Sequence, residues 1–171
     1  DRFDISQSPS DANLFNGTWT DYYAAIFRCN SLLVKMEQIE WNDDNETRGR
    51  IEGETRVLRA MLYFDLVRLF GYVPLVTEPS SENFPQSEPI ETYRLIAEDL
   101  KFAADNIPTS AYPKSNAAKN DGRISAYAAK ALLARVYLFY TGYENGKYDP
   151  QVVTKAEVLQ GLEDVINSNE F

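Results

Sequence analysis

The sequence predicts an all-α protein. Apolar residues recur three or four positions apart in five segments of the 171-residue chain, which is the spacing of one face of an α-helix. No segment alternates apolar and polar residues over the length of a β-strand. Two stretches between the segments, 72–88 and 107–122, are rich in Pro, Ser and Asn and lack periodicity, so we expect long irregular loops there.

The first predicted helix covers about residues 16–40, and Asn13 or Asn16 is its expected N-terminal cap. Its apolar side chains form a stripe that we expect to be buried, namely Trp19, Tyr22, Tyr23, Ile26, Phe27, Leu33 and Met36. The polar stretch 41–47 follows the stripe and predicts a turn.

The second predicted helix begins near Arg48 and contains the most apolar stretch of the chain. Residues 57–70 are interrupted by charge at only three positions, Arg59, Asp65 and Arg68. A helix this apolar has no broad polar face, so we expect other helices to surround it. Gly71 predicts its end, because glycine accepts the left-handed conformation that closes helices. Residues 72–76 are predicted to be extended, because a residue before proline avoids the α region.

Three more helices are predicted from the same periodicity. The third opens at Pro89 and runs to about Asn106, and the fifth spans about 154–168. Ser125 is the expected cap of the fourth helix, which extends to about Tyr140 and is rich in alanine. Small side chains of this kind let neighbouring helices approach closely.

A weak internal repeat indicates how these helices are arranged. Setting Gly71 over Gly142 gives an offset of 71 residues and also pairs three apolar positions, Ala60 with Ala131, Leu62 with Leu133 and Val67 with Leu138. This offset is close to two helix–turn–helix units of about 34 residues each, the tetratricopeptide period. We therefore predict one tetratricopeptide-like scaffold, a right-handed superhelix of helix pairs.

Composition argues against several classes of function. The net charge of −9 gives phosphate-backbone binding no electrostatic basis, so nucleic acid is not an expected partner. The chain has no histidine, the commonest general base and transition-metal ligand. Its single cysteine, Cys29, lies in an apolar helical segment where core packing is expected, and no glycine-rich phosphate loop is present. We predict no catalytic residue and no cofactor.

One acidic cluster resembles a calcium loop. Asp43, Asn45, Thr47 and Glu54 have the spacing of ligands 1, 3, 5 and 12, but Arg48 occupies the position that requires glycine. A polar turn between helices is the favoured interpretation, and no metal site is predicted.

Aromatic side chains are the remaining functional resource. Sugar rings stack on Trp and Tyr, and four tyrosines lie in or beside predicted loops, Tyr72, Tyr112, Tyr143 and Tyr148. Trp19 is in helical register with the apolar stripe, so packing is favoured for it. Trp41 stands at a helix end among polar residues, and both exposure and packing are open for it.

Three motifs, in order along the chain, resemble the SusD/RagB family. They are WTDYYAAIFRCNSLL at 19–33, RVLRAMLYFDLVRLFGYVPLVTEP at 56–79 and GRISAYAAKALLARVYL at 122–138. Val57 and Met61 stand where other apolar residues are commoner in the family. The resemblance covers about residues 14–171.

The resemblance implies a surface-exposed outer-membrane lipoprotein of a Gram-negative bacterium. Such proteins are not enzymes: they bind a polysaccharide or oligosaccharide, or in some cases a peptide, and cover a SusC-like TonB-dependent transporter. Their scaffold is tetratricopeptide-like, and their membrane anchor is a lipidated cysteine near the mature N-terminus, which we expect to lie outside residues 1–171. We therefore expect residues 1–171 to form a single, incomplete N-terminal region of such a protein.

The resemblance also implies where ligand contacts lie. The family pocket draws partly on the loop before the early helix, here residues 1–16. The candidate ligand-binding residues are Asn13, Phe15 and Asn16, together with the loop aromatics Trp41 and Tyr112. Helix capping and local packing are the alternative roles for each.

Two alternative functions remain open. A tetratricopeptide-type scaffold that binds another protein through its concave face would need the same helix pairs. A peptide-binding member of the same family would share every motif.

Overall fold

The computed structural model describes residues 13–42, 44–109 and 122–169. Five α-helices lie within these ranges: α1 (Asn13–Met36), α2 (Asn45–Phe70), α3 (Pro89–Asn106), α4 (Ala126–Leu138) and α5 (Lys155–Asn167). A turn of π-helix, Phe139–Tyr143, continues α4 directly and is called the π-turn below. The predicted all-α class is confirmed.

Local side-chain chemistry explains the helix ends. The Asp44 side chain accepts a hydrogen bond from the Thr47 amide at 3.0 Å, so α2 begins three residues before the predicted position. Gly71 ends α2 as predicted, with φ at 71° and its N–H donating to the Val67 carbonyl at 2.9 Å. Ser125 is the predicted cap of α4, and its side chain accepts from the Ala128 amide. α1 lies about three residues earlier than predicted at both ends.

Successive helices pack antiparallel, and α2 and α3 are in closest contact. Two glycines of α2 permit this approach. A Cβ atom added at Gly49 would lie 2.6 Å from the Asn106 carbonyl oxygen, and one added at Gly53 would lie 2.5 Å from Cγ1 of Ile107. The backbones of α2 and α3 can therefore approach at this end only because both positions lack a side chain.

The exit from α2 is extended, as predicted, and it forms a short antiparallel pair. Strand β1 (Val73–Pro74) pairs with β2 (Gln86–Ser87), with Val73 opposite Ser87. Strands of two residues are too short to produce a periodic signal in the sequence. This pairing therefore brings the two ends of the 72–88 loop together.

The expectation that helices surround α2 on every side is wrong for the described residues. α1 and α3 cover two of its faces, and the π-turn contacts it through Phe139. The face between α1 and α4 stays open, where Leu58, Met61 and Leu69 are each about half exposed. Phe27 of α1, predicted to be buried, is also exposed.

In the structure, the burial patterns of α2 and α4 match at an offset one residue shorter than the predicted offset. The predicted partners differ in burial, since Ala60 and Val67 are buried while Ala131 and Leu138 are exposed. Burial coincides at an offset of 70, which sets four buried residues of α4 over four of α2: Ala129 over Arg59, Leu133 over Tyr63, Ala134 over Phe64 and Val136 over Leu66.

The π-turn accounts for the extra residue. The Glu144 N–H donates to the Phe139 carbonyl at 3.1 Å, a bond that spans five residues instead of four. The helix bodies therefore match at an offset of 70, and the glycines that follow them match at 71.

Candidate functional site

A buried polar cluster joins the first three helices, and we call Asn30, Arg59 and Asp99 the polar clamp. Arg59 donates from Nε to Oδ2 of Asp99 and from Nη2 to Oδ1, both at 2.8 Å, in a bidentate pair. Its Nη1 donates to Oδ1 of Asn30, also at 2.8 Å. All three residues are buried, so the clamp connects α1, α2 and α3 inside the protein.

The polar clamp also holds the chain that leaves α2. Asn30 donates from Nδ2 to the Val76 carbonyl at 2.8 Å. The Tyr63 hydroxyl donates to the same carbonyl at 2.9 Å and accepts from the Val76 N–H at 2.8 Å. Burial raises the pKa of Tyr63 to about 12, which keeps this hydroxyl protonated and able to donate. The start of the 72–88 loop is therefore fixed to the core.

Charge in the clamp is balanced by neighbouring groups. Arg56 donates from Nη1 to Asp99 at 3.1 Å and from Nη2 to Glu52 at 2.8 Å. Burial opposes the charge on Arg59, but its hydrogen bonds with Asp99 hold the pKa of the guanidinium above its usual value. Both oxygens of Asp99 are already bound, so the cluster is equipped to hold the fold together and has no free group for chemistry.

A second feature lies where α1 begins and where α2 and α4 end. Because successive helices are antiparallel, these three helix ends meet at one end of the protein. We call this the aromatic end, defined by Phe15, Trp19, Phe70, Tyr72, Phe139 and Tyr143.

The start of α1 packs on the end of α2 through aromatic rings. Trp19 meets Phe70 edge-on, with ring centroids 5.0 Å apart at 84°. Phe15 meets the same ring at 6.2 Å and 89°, and it stays 45% exposed. Trp19 is half-buried and packs against the core, as predicted. Perpendicular contacts of this kind favour defined ring orientations.

The π-turn presents the most exposed aromatic ring of the described residues. Tyr143 is 78% exposed, and its ring lies 5.0 Å from Phe139 at 31°. Phe139 in turn meets Phe64 edge-on at 5.6 Å. The Arg68 guanidinium lies 4.3 Å above the Phe64 ring. Tyr143 therefore rests on a packed support while most of its surface faces solvent.

The base of the π-turn is fixed by further tyrosines. The Tyr93 hydroxyl donates to Oε1 of Glu144 at 2.8 Å, and the Tyr93 ring stacks on Tyr140 at 4.3 Å. Tyr148 meets Tyr140 edge-on at 4.8 Å. A Cβ atom at Gly146 would overlap the Tyr140 ring, so glycine is required for the chain to pass there. The position of Tyr143 is thus set by buried packing.

An exposed ring on a rigid support suits one kind of ligand chemistry. Its apolar face can cover the C–H face of a sugar ring, while nearby polar groups bind hydroxyls. Tyr72, 51% exposed and directly after the Gly71 cap, is a second such ring at the same end. Glu144 and Arg68 place polar groups beside the π-turn.

The predicted ligand residues divide between the two ends of the protein. Phe15 and Asn16 lie in the first turns of α1, at the aromatic end, and Asn16 is exposed. Trp41 lies beyond the other end of α1, on the order of 35 Å away for a helix of this length. Its indole N–H donates to the Met36 carbonyl at 3.1 Å and its side chain is half-buried. Tyr112 and the side chain of Asn13 lie outside the described residues.

The loop tyrosines could not be ranked from the sequence, and the structure separates them. Tyr148 packs in parallel against Tyr137 at 5.7 Å, and its buried hydroxyl has no hydrogen-bond partner among the described residues. Tyr72 and Tyr143 are exposed instead. One feature of the sequence could have indicated which tyrosines are exposed. Tyr72 and Tyr143 each follow a glycine, Gly71 and Gly142, that marks the end of a helix.

No metal or membrane feature appears in the described part of the chain. Among the described residues, no group of three or more Cys, Asp or Glu side chains could hold a metal ion. Of the calcium-like cluster, Asp43 lies outside the described residues, and Asn45 and Thr47 are in the first turn of α2. Within the same ranges, none of the helices combines the length and apolar character needed to cross a bilayer.

Comparison with known proteins gives consistent matches. Residues 3–138 match the family model described as "SusD-like_3: Starch-binding associating with outer membrane". A SusD-like protein of Bacteroides ovatus is 29% identical over 141 residues, which cover 80% of this chain and 24% of that protein. The chain therefore spans about a quarter of the length of this relative.

Solved structures show the same fold. A laminarin-binding SusD-like protein is 34% identical with a TM-score of 0.67, and the match covers 86% of this chain and 29% of that one. A SusD homologue from Bacteroides thetaiotaomicron is 28% identical with a TM-score of 0.74, over 95% of this chain and 31% of that one. These neighbours are tetratricopeptide-like helical folds, which confirms the predicted architecture. The chain belongs to the SusD-like family.

Proposed function

We propose that this chain is the helical N-terminal region of a longer, non-catalytic glycan-binding lipoprotein of the outer membrane. In this proposal the whole protein captures a polysaccharide or oligosaccharide at the cell surface and passes it to a SusC-like TonB-dependent transporter. The matched relatives are several times longer than this chain, which supports the larger protein. The family description supports both starch association and the outer membrane.

The observation that carries the proposal is the aromatic end. Tyr143 and Tyr72 offer exposed rings at the same end of the protein as the start of α1, where we expect ligand contacts. A similar protein binds laminarin, a glucan. The descriptions of the matched family and of similar proteins speak of binding, which supports binding without catalysis.

Glycan titration of the longer polypeptide tests the proposal. Trp19 packs at the aromatic end and provides a fluorescence signal close to the proposed ligand. We expect a saturable change with laminarin or another soluble glycan, and none with a panel of oligopeptides. Saturation with peptides alone would replace glycan by peptide as the ligand. A flat response to both panels, with no retention of a barrel transporter in a pulldown, would contradict the proposal.

A further inference from the structure

A groove of about 460 Å³ separates α1 from α2 on the face that no described element covers. Ala25, Arg28 and Cys29 line it from α1, and Leu58, Met61 and Leu62 line it from α2. Leu58 is 49% exposed and Met61 48% exposed. Large apolar side chains are thus gathered at the groove.

The spacing on α2 is that of a helix that faces another helix. Leu58, Met61, Leu62 and Leu69 are separated by three, one and seven residues, which keeps them on one stripe of α2. The stripe runs along the groove and continues past it toward the aromatic end. A groove between two helices, bordered by such a stripe, accepts the apolar face of a third helix.

The polar groups at the groove define the charge of its occupant. The Tyr22 hydroxyl donates to Asp65 at 3.2 Å, and Asp65 also pairs with Arg68, so this carboxylate is already satisfied. Arg28 lines the same groove and forms no ion pair within the described ranges. An acidic side chain on the incoming helix could therefore pair with Arg28, which no carboxylate of the described ranges engages.

We propose that an amphipathic helix from the remainder of the same polypeptide fills this groove, with its apolar face on Leu58, Met61 and Leu62 and an acidic residue at Arg28. This inference rests on the proposed longer protein. The similar proteins share this helical region with two to three times as much additional chain, and a long chain folds around a shared core. An occupant in the same polypeptide needs no separate binding event.

Thiol labelling of the longer polypeptide, isolated without any partner, tests the inference. Cys29 is replaced by alanine, and Met61→Cys is compared with Glu98→Cys on the exposed side of α3. If the groove is filled, Met61→Cys reacts at least about tenfold more slowly than the control. Equal rates would overturn the inference, because the groove would then be empty or filled only by a partner protein.

The charge prediction provides a second test that does not depend on a new cysteine. Arg28→Glu is compared with Arg135→Glu, an exposed position of α4, in the same polypeptide. We expect the melting temperature to fall by about 2 °C more for Arg28→Glu. An equal or smaller fall would argue against an acidic partner at Arg28.

Titration of each variant with laminarin separates the two proposals. A reactive Met61→Cys in a protein that still binds glycan would overturn only the groove assignment. A protected Met61→Cys in a protein that binds no glycan would overturn only the proposed function.

Discussion

Helices α2 and α4 are the second helices of the pairs α1–α2 and α3–α4. They differ at a matching buried position, which is charged in α2 and apolar in α4. Where α2 has Arg59, the matching position of α4 is Ala129, and both are buried. The arginine requires Asp99 as a partner, and the pair also holds the exit loop through Asn30. The alanine needs no polar partner, and every other buried residue of α4 is also aliphatic: Ala126, Leu133, Ala134 and Val136.

The two helices also differ where they end. α2 stops at Gly71 in a single left-handed residue, and the chain that follows is tied to the core. α4 passes into the π-turn, which adds one residue and carries Tyr143 into solvent. The comparison teaches that two matching helices can differ in their buried polar groups and in how they end: α2 carries the polar clamp, and α4 passes into a π-turn that exposes an aromatic ring.

Breaking the polar clamp should have the largest effect on stability. Asp99→Ala leaves the Arg59 guanidinium buried without its bidentate partner, which costs about 3–5 kcal/mol in the free energy of unfolding. Denaturant unfolding followed by circular dichroism measures the loss. A cost below about 1 kcal/mol would mean that the pair contributes little to the fold.

Replacing both partners sharpens the same comparison. Arg59→Met combined with Asp99→Leu makes this position of α2 resemble the apolar packing of α4. Because no charge is left unpaired, the double variant should be more stable than Asp99→Ala alone. If the double variant loses as much stability as Arg59→Met and Asp99→Leu lose together when each is made alone, the buried charges do not act as a pair.

The base of the π-turn should be the next most sensitive place. Gly146→Ala forces a methyl group against the Tyr140 ring and should cost about 1–3 kcal/mol. Gly142→Ala is the matched control, because no atom lies within 4 Å of its Cβ position and its φ is not positive. Thermal unfolding of the two variants should separate them, and equal stability would show that the turn is loosely packed.

The smallest expected effect is at the start of α5. Hydrogen bonds from Lys101 and then from the Thr154 cap lower the pKa of Glu157 to about 2, below its ordinary value of 4.5. A lowered pKa in the folded state gives stability that is present above pH 4.5 and is lost as the pH falls toward 2. Unfolding measured between pH 5 and pH 2 should therefore show a shallower decline for Glu157→Gln than for the unchanged protein. Parallel pH profiles would contradict this assignment.

Local chemistry made the helices predictable. Pro89–Asn106 was predicted with its bounds, since proline opens the helix and Ile107-Pro108 cannot continue it. Ser125, Thr154 and Gly71 act as caps whose side chains or backbone bind within a few residues. Each of these capping interactions joins residues a few positions apart, so a short stretch of sequence is enough to predict it.

Long-range pairing could not be predicted in the same way. The Arg59–Asp99 pair joins residues 40 positions apart, and Asp99 has no local feature that distinguishes it from acids on solvent faces. Gly142 in the π-turn indicates an ordinary helix end, so the extra residue of the π-turn was visible only as a mismatch in burial between α2 and α4. The open face of α2 was missed because a run of apolar residues indicates burial without saying what provides it.

The candidate site was predicted only in part. The start of α1, with Phe15 and Asn16, does lie at the aromatic end, although its contact with ligand stays a prediction. Trp41 lies at the opposite end, and nothing in the residues around it separates it from Phe15 and Asn16. Exposure distinguishes Tyr143 from Tyr148, and exposure depends on packing between distant tyrosines.

The most direct test measures glycan affinity and stability together in the longer polypeptide, for Tyr143→Ala and for Asp99→Ala. The account predicts that Tyr143→Ala weakens binding of a responding glycan by about tenfold and changes the free energy of unfolding by no more than about 0.5 kcal/mol. Tyr143→Phe should keep the affinity, because the ring provides the contact. Asp99→Ala should lose stability and, under conditions where it stays folded, keep most of its affinity. Unchanged affinity in Tyr143→Ala would contradict the claim that the π-turn displays a ligand-binding ring.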